Sequence, residues 1–159
     1  MEQDVLRIEY RLQVEEGEPL VGCIVPSLWV NDECVSEGFV VDLRNLVATL
    51  KGSGEYEIVT CSCGEPGCAG IWQGIIVFHY YDLIRWLIPV PISKPFEPDE
   101  NEQERIITFK DRYFRKEDYS RVISSAIAEA KRLALQNADS IRAAPHGFSV
   151  QDLLDMRIS

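Results

Sequence analysis

The feature that most constrains the fold of this chain is one helical stripe near its end. Between residues 117 and 137, Tyr119, Val122, Ile123, Ala126, Ile127, Ala130, Leu133 and Ala134 recur at three- and four-residue spacing. That spacing lines them along a single face of an α-helix. A helix with one apolar face must bury it against another element. Its alanines allow close approach, and the segments before it read mostly as strands, so one face of a sheet is the expected partner.

Those segments carry a period of two. Residues 5–14 (VLRIEYRLQV) set Leu6, Ile8, Tyr10, Leu12 and Val14 against Arg7, Glu9, Arg11 and Gln13, the pattern of a half-buried strand. Glu15 to Pro19 supplies a turn. Residues 20–30 (LVGCIVPSLWV) then read as a second strand of the same hairpin, which Pro26 restricts to an edge or a bulge. Asp42 is placed to cap a short helix bearing Leu43, Leu46, Val47 and Leu50, and Gly52 to end it. Three strands are expected over 55–61, 71–79 and 83–88, closed by Pro89, Pro91 and Pro95. A last short strand is expected over 106–109. Ser149 and Asp152 resemble a capping box ahead of a short terminal helix. The expected fold is α+β, a single domain over 1–159. It has a largely antiparallel sheet, a short inserted helix and a long C-terminal helix packed on one face.

A chain of 159 residues buries roughly 70% of its unfolded surface, so neither a metal nor a disulfide is required for folding. The N-terminus (MEQDVLRIEYRLQV) lacks the apolar core of a signal peptide. The longest apolar run, Gly74 to Tyr81, falls short of the ~20 residues that span a bilayer. A cytoplasmic location with reduced thiols is therefore expected, and five cysteines, an odd number, fit poorly with a closed disulfide framework.

The net charge of −10 is uneven: 19 acidic against 7 basic residues through residue 109, then 7 against 9. Such a balance disfavours nucleic acid and anionic membranes and favours a basic protein partner, although acidity also serves solubility. Glu97, Asp99, Glu100, Glu102 and Glu104 crowd an acidic loop over 97–105. With Glu65 they are the candidate partner-binding residues. The plain alternative for the loop is a solvated connection.

The stretch TCSCGEPGCAG, residues 60–70, holds Cys61, Cys63 and Cys68 in a cysteine-rich hairpin loop over 61–70. Glu65-Pro66-Gly67-Cys68 fits a type II turn, with proline and glycine at the two central positions. A turn does not require three thiols. Zinc would use them, with Cys23, Cys34, Glu65 or water as the fourth ligand. His79 is set against that role, because a straight strand puts it roughly 25–30 Å from the turn. The C-x-C-x4-C spacing is not the paired C-x2-C of strong zinc sites. A redox role lacks both a C-x-x-C pair and a helix N-terminus to lower a thiol pKa, which leaves only a reversible bond from Cys61 or Cys63 to Cys68. Cys23 and Cys34 read as small apolar residues.

No nucleophile elbow, phosphate loop, zinc-protease helix or dinucleotide fingerprint occurs. His79 reads as a structural, hydrogen-bonded residue and His146 as an exposed loop residue. Trp29, Trp72 and Trp86 fall on strand-like segments as core. The expectation is no enzyme, and a catalyst without recognisable motifs would need His79 in an open cleft. The run GEYEIVTCSCGEPGCAG, with GIIVFH and LIRW after it, resembles small bacterial proteins of poorly defined function. Their pattern is C-S-C-G-x-P/A-G-C-A-G between a short strand and an apolar strand ending V-x-H. The resemblance covers about a fifth of the chain and implies the hairpin but no activity. In size and charge the chain is also similar to the acidic immunity proteins of bacterial toxin systems, which implies a non-catalytic cytosolic domain that masks a basic toxin.

Overall fold

The computed structural model describes residues 2–15, 21–37, 39–60, 74–91, 107–136, 141–143 and 148–158. The chain opens with strands β1 (Leu6–Glu15), β2 (Val21–Val30), β3 (Glu33–Cys34) and β4 (Val40–Val41). Helix α1 (Leu43–Ala48) follows, running into a tighter 3-10 turn at Thr49–Lys51. Next come β5 (Gly54–Tyr56), β6 (Val59–Thr60), β7 (Ile75–Tyr80), β8 (Leu83–Pro91) and β9 (Ile107–Arg115). Helix α2 (Lys116–Gln136), β10 (Ile141–Ala143) and helix α3 (Val150–Asp155) complete it.

The class is α+β, and the pairing is antiparallel throughout except where β10 runs parallel to β2. The strands do not form one sheet. β1, β2, β10 and β3 make one, β5-β7-β8-β9 another, and β4 with β6 a short ladder. The division arises at Glu57 and Ile58, inside what the sequence presents as a single strand over 55–61. Ile58 and Val59 are both buried, which a straight strand with alternating faces does not allow. The chain bends instead. Ile58 N donates to Tyr56 O at 3.0 Å, Asp42 N reaches Ile58 O at 2.7 Å and Asn45 Nδ2 reaches Glu57 O at 2.8 Å. Asp42 also caps α1, its side chain accepting from Arg44 N and Asn45 N. Gly52 follows the 3-10 turn in extended backbone.

The prolines fall where a missing N–H costs no ladder bond. Leu28 turns its backbone toward the 35–36 segment, donating to Ser36 Oγ and accepting from Val35 N. Pro26, two residues earlier, shares that direction and lies between the β10 and β3 pairings of β2. It is a local edge within a strand paired on both sides. Pro89 and Pro91 do not end β8, which stays in register with β9 as far as Pro91 opposite Ile107. Asp82 O accepts from Lys116 N, so even residues of β8 face β9 and the two prolines face away, beyond the last pairing with β7. β9 is correspondingly longer than the four residues expected at 106–109.

Helix α2 buries Tyr119, Ile123, Ala126, Ile127, Ala130 and Ala134, six of the eight stripe residues, against elements of both larger sheets. Tyr10 on β1 donates its hydroxyl to Ala126 O at 2.6 Å. Trp86, fully buried on β8, donates its indole N–H to the Tyr119 hydroxyl at 3.2 Å. Thr49 Oγ1 bonds Leu46 O at 2.6 Å, a carbonyl that only accepts, so Thr49 receives the Tyr119 proton across 2.5 Å. Each hydrogen in this relay has one destination. Burial holds the Tyr119 phenol well above its ordinary pKa, keeping it a donor.

Arg112, on β9 and 8% exposed, ties the sheets together, binding Asp4 Oδ1 at 3.3 Å and Glu33 Oε2 at 2.7 Å. Lys110 Nζ shares Glu33 Oε2 at 2.9 Å. Asp4 also exchanges two bonds with Tyr113, one from its backbone N–H and one to its carboxylate.

Two outcomes are expected. Tyr119→Phe strands the buried Trp86 N–H and lowers unfolding stability by about 1–3 kcal/mol, and a denaturation midpoint equal to wild type would refute the relay. The Lys110 hydrogen bond, aided by the charges of Lys110 and Arg112, holds the Glu33 carboxyl below its usual range against partial burial. A carboxylate depressed in the fold stabilises it above the unfolded pKa of ~4.3 and loses that contribution as pH falls through the folded value. Glu33→Gln should therefore be less stable than wild type near neutrality, the gap closing in acid. A gap independent of pH would contradict the assignment.

Candidate functional site

The residues that carry the sequence-based site all lie outside the described residues: Cys61, Cys63, Glu65 and Cys68 in one connection, Glu97, Asp99, Glu100, Glu102 and Glu104 in another. What the structure fixes is their anchors. Residues 92–106 join β8 to β9, whose register sets Pro91 directly opposite Ile107. The acidic connection therefore leaves and re-enters the fold at one point. Ile107 is three residues, about 10 Å of strand, from Lys110, which holds Glu33.

The cysteine connection has different anchors. It leaves β6, which pairs with β4, and returns to β7, which pairs with β5 and β8. Hairpin pairing here thus runs between β5 and β7, with Tyr56 opposite Ile75. Gly74 closes the connection at φ +98°, where a Cβ would stand 3.2 Å from Tyr56 O. That combination leaves room for glycine alone. His146 and Trp72 also fall outside the described residues.

On the described frame seven of the fourteen basic side chains form ion pairs, with seven of the seventeen acidic ones. Arg44 pairs with Asp42, Arg85 with Asp111, Arg121 with Asp118, Arg132 with Glu129 and Arg7 with Glu9, beside the Arg112 cluster. Most are exposed pairs, worth little to stability but enough to neutralise one another locally. The described residues hold 17 acidic and 14 basic side chains, the others 9 and 2. Seven of the ten excess negative charges thus belong to the connections.

Beside β3 an open cleft of about 320 Å³ is lined by Trp29, Ser27 and Cys34, with Glu9, Arg11 and Glu37 among its charged residues. Arg7 stacks on the Trp29 ring at 4.7 Å, and Ser27 Oγ takes the indole N–H at 3.1 Å. Trp29 is half-buried, so it is not simply core as the sequence suggests. Cys34 Sγ lies 3.7 Å from Ser36 Oγ. The cleft thus combines two carboxylates with Arg11, beside a Trp29 ring that Arg7 already covers.

His79 is half-buried, with Nε2 2.7 Å from the Thr49 carbonyl. A carbonyl only accepts, so Nε2 carries the proton and the ring braces the 3-10 turn. No group of three or more His, Cys, Asp or Glu that could hold a metal occurs among the described residues. Cys23 is buried on β2 and Cys34 lies half-buried on β3. No helix is long and apolar enough to cross a membrane among the described residues.

Sequence reasoning missed the Arg112 cluster because β9 was expected to stop at 109. Its signal was an arginine at a core position, one alternation before buried Phe114. No family model, curated protein or solved structure matches the chain, so the functional reading rests on this geometry and on the sequence.

Proposed function

We propose that this is a non-enzymatic, cytoplasmic protein-binding domain whose acidic connections engage a basic protein, in the manner of an immunity protein that neutralises a basic toxin. The observation that carries the reading is the distribution of charge. The described frame carries a net charge of −3, while seven of the ten excess negative charges sit in the connections. An excess of one charge on a protein steers a partner of opposite sign and speeds its association. Residues 92–106 spring from a single registered point near Glu33, whose strand neighbour Cys34 lines the carboxylate-edged cleft. The connection and the cleft each carry carboxylates for a basic partner to engage.

The test is affinity capture from the native host at low and high salt. Wild type is compared with a variant carrying Lys at positions 97, 99, 100, 102 and 104. One basic protein retained at low salt, released at high salt and lost with the variant is the expected result. Equal retention by the variant would overturn the electrostatic reading.

A second reading, structural zinc on Cys61, Cys63 and Cys68, is favoured by three thiols within eight residues where a turn needs none. It expects about one zinc per chain in protein purified without chelator, lost on replacing the three cysteines by serine. Metal-free, fully folded protein would dismiss it.

A further inference from the structure

The strand β1 ends its sheet, and among the described residues only β2 pairs with it. Asn31 N donates to Val5 O, so odd-numbered residues of this strand turn their backbone toward β2 and even-numbered ones turn theirs outward. From Leu6 to Val14 that is a row of ladder groups along an edge, flanked by Val5 and Leu12 at 65% and 50% exposure. A long edge of this kind is a template for another strand. Beside it an open groove of about 300 Å³ runs between β1 and α2.

We propose that β1 is the seam of a symmetric dimer, in which two copies of the chain pair antiparallel through Leu6–Val14 about a two-fold axis at Tyr10. Charge selects both the occupant and the register. Arg7, Glu9 and Arg11 alternate on the solvent face. An axis at Tyr10 sets Glu9 opposite Arg11 of the second copy, twice by symmetry, and Ile8 opposite Leu12. Moving the axis to Glu9 would place Glu9 against Glu9 and Arg7 against Arg11, which is repulsive. Moving it to Arg11 would place Arg11 against Arg11, and moving it to Ile8 would shorten the seam to Leu6–Tyr10, because Asp4 already gives its backbone N–H to Tyr113 O. Among these the Tyr10 axis opposes unlike charges over the longest seam.

The helix obeys the same symmetry. The Tyr10 hydroxyl reaches Ala126 O, so the axis falls level with Ser125 and Ala126 on α2. Arg121 and Glu129 border the groove one turn to either side of Ser125. Rotation about the axis brings Arg121 of one copy toward Glu129 of the other. Two independent elements are thus self-complementary about one level of the fold. The proposal uses none of the acidic connections, whereas Glu9 and Arg11 of its seam also line the cleft beside β3.

Sedimentation equilibrium of the full chain tests it, with circular dichroism confirming that each variant is folded. Wild type should have twice the 18.1 kDa chain mass. R11E should weaken the dimer about tenfold or more by setting Glu against Glu at two places. The double exchange E9R/R11E restores opposite charges and should restore the dimer. A monomeric wild type, a dimer indifferent to R11E, or a double variant that fails to recover would each overturn the proposal.

Discussion

The Tyr119 hydroxyl is the interaction on which the rest of the structure depends. It lies in the core among Trp86 and Phe114, with ring centroids at 5.8 and 5.4 Å, and takes a proton from one element while giving one to another. Apolar contacts alone would let α2 slide over alanine-rich faces, since dispersion is non-directional. A buried hydroxyl that must find both an acceptor and a donor removes that freedom. Through Thr49 the relay reaches the 3-10 turn after α1. Through the Thr49 carbonyl it also reaches His79 on β7. One phenol thereby orients α2, β8 and the turn that ends α1, and the carbonyl of that turn orients the histidine. His79 joins this bracing through its Nε2.

The division of the strands into two larger sheets follows from the same centre. Because α1 has to sit close enough for Thr49 to meet Tyr119, the chain leaving it cannot run on as one straight strand. Asn45 and the backbone of Asp42 hold the bend at Glu57 and Ile58. Arg112 then closes the gap on the other side, bridging Asp4 before β1, Glu33 on β3 and its own strand β9. Its Nε has no partner among the described residues. A buried guanidinium is a costly way to join two sheets. It compensates by fixing the N-terminal segment against β9, which is what keeps Asp4 out of the β1 edge.

Much of this was legible in the sequence, for identifiable reasons. The stripe over 117–137 and the alternation over 5–14 were readable because each repeats one period long enough to exclude the other. The caps at Asp42 and Ser149 were readable because a side-chain oxygen before an apolar helix has few other uses, and Ser149 with Asp152 makes both bonds of the box. What was not legible depends on contacts distant in sequence. The bend at Ile58 is imposed by α1, not by its own residues. The prolines of β8 look like terminators until the pairing shows that they face away from β9. β10 is three residues, too few for any period to show, and it lies parallel beside β2. The site residues were proposed from composition, and the structure adds only the anchors of the connections that carry them.

The alternation that made β1 easy to read is also what makes its edge informative. A strand that only needed one wet face could carry any polar residues there, yet Arg7, Glu9 and Arg11 alternate in sign. Within one chain that order yields only the exposed Arg7–Glu9 pair, whose value to folding is small. Across a two-fold axis it specifies a register, because a shift of the axis by one residue either way opposes like charges, Glu9 to Glu9 or Arg11 to Arg11. The physical content of the pattern is thus larger between copies than within one. Two copies joined at β1 would also carry two acidic connections, so a partner offering two basic sites would meet the second at high effective concentration.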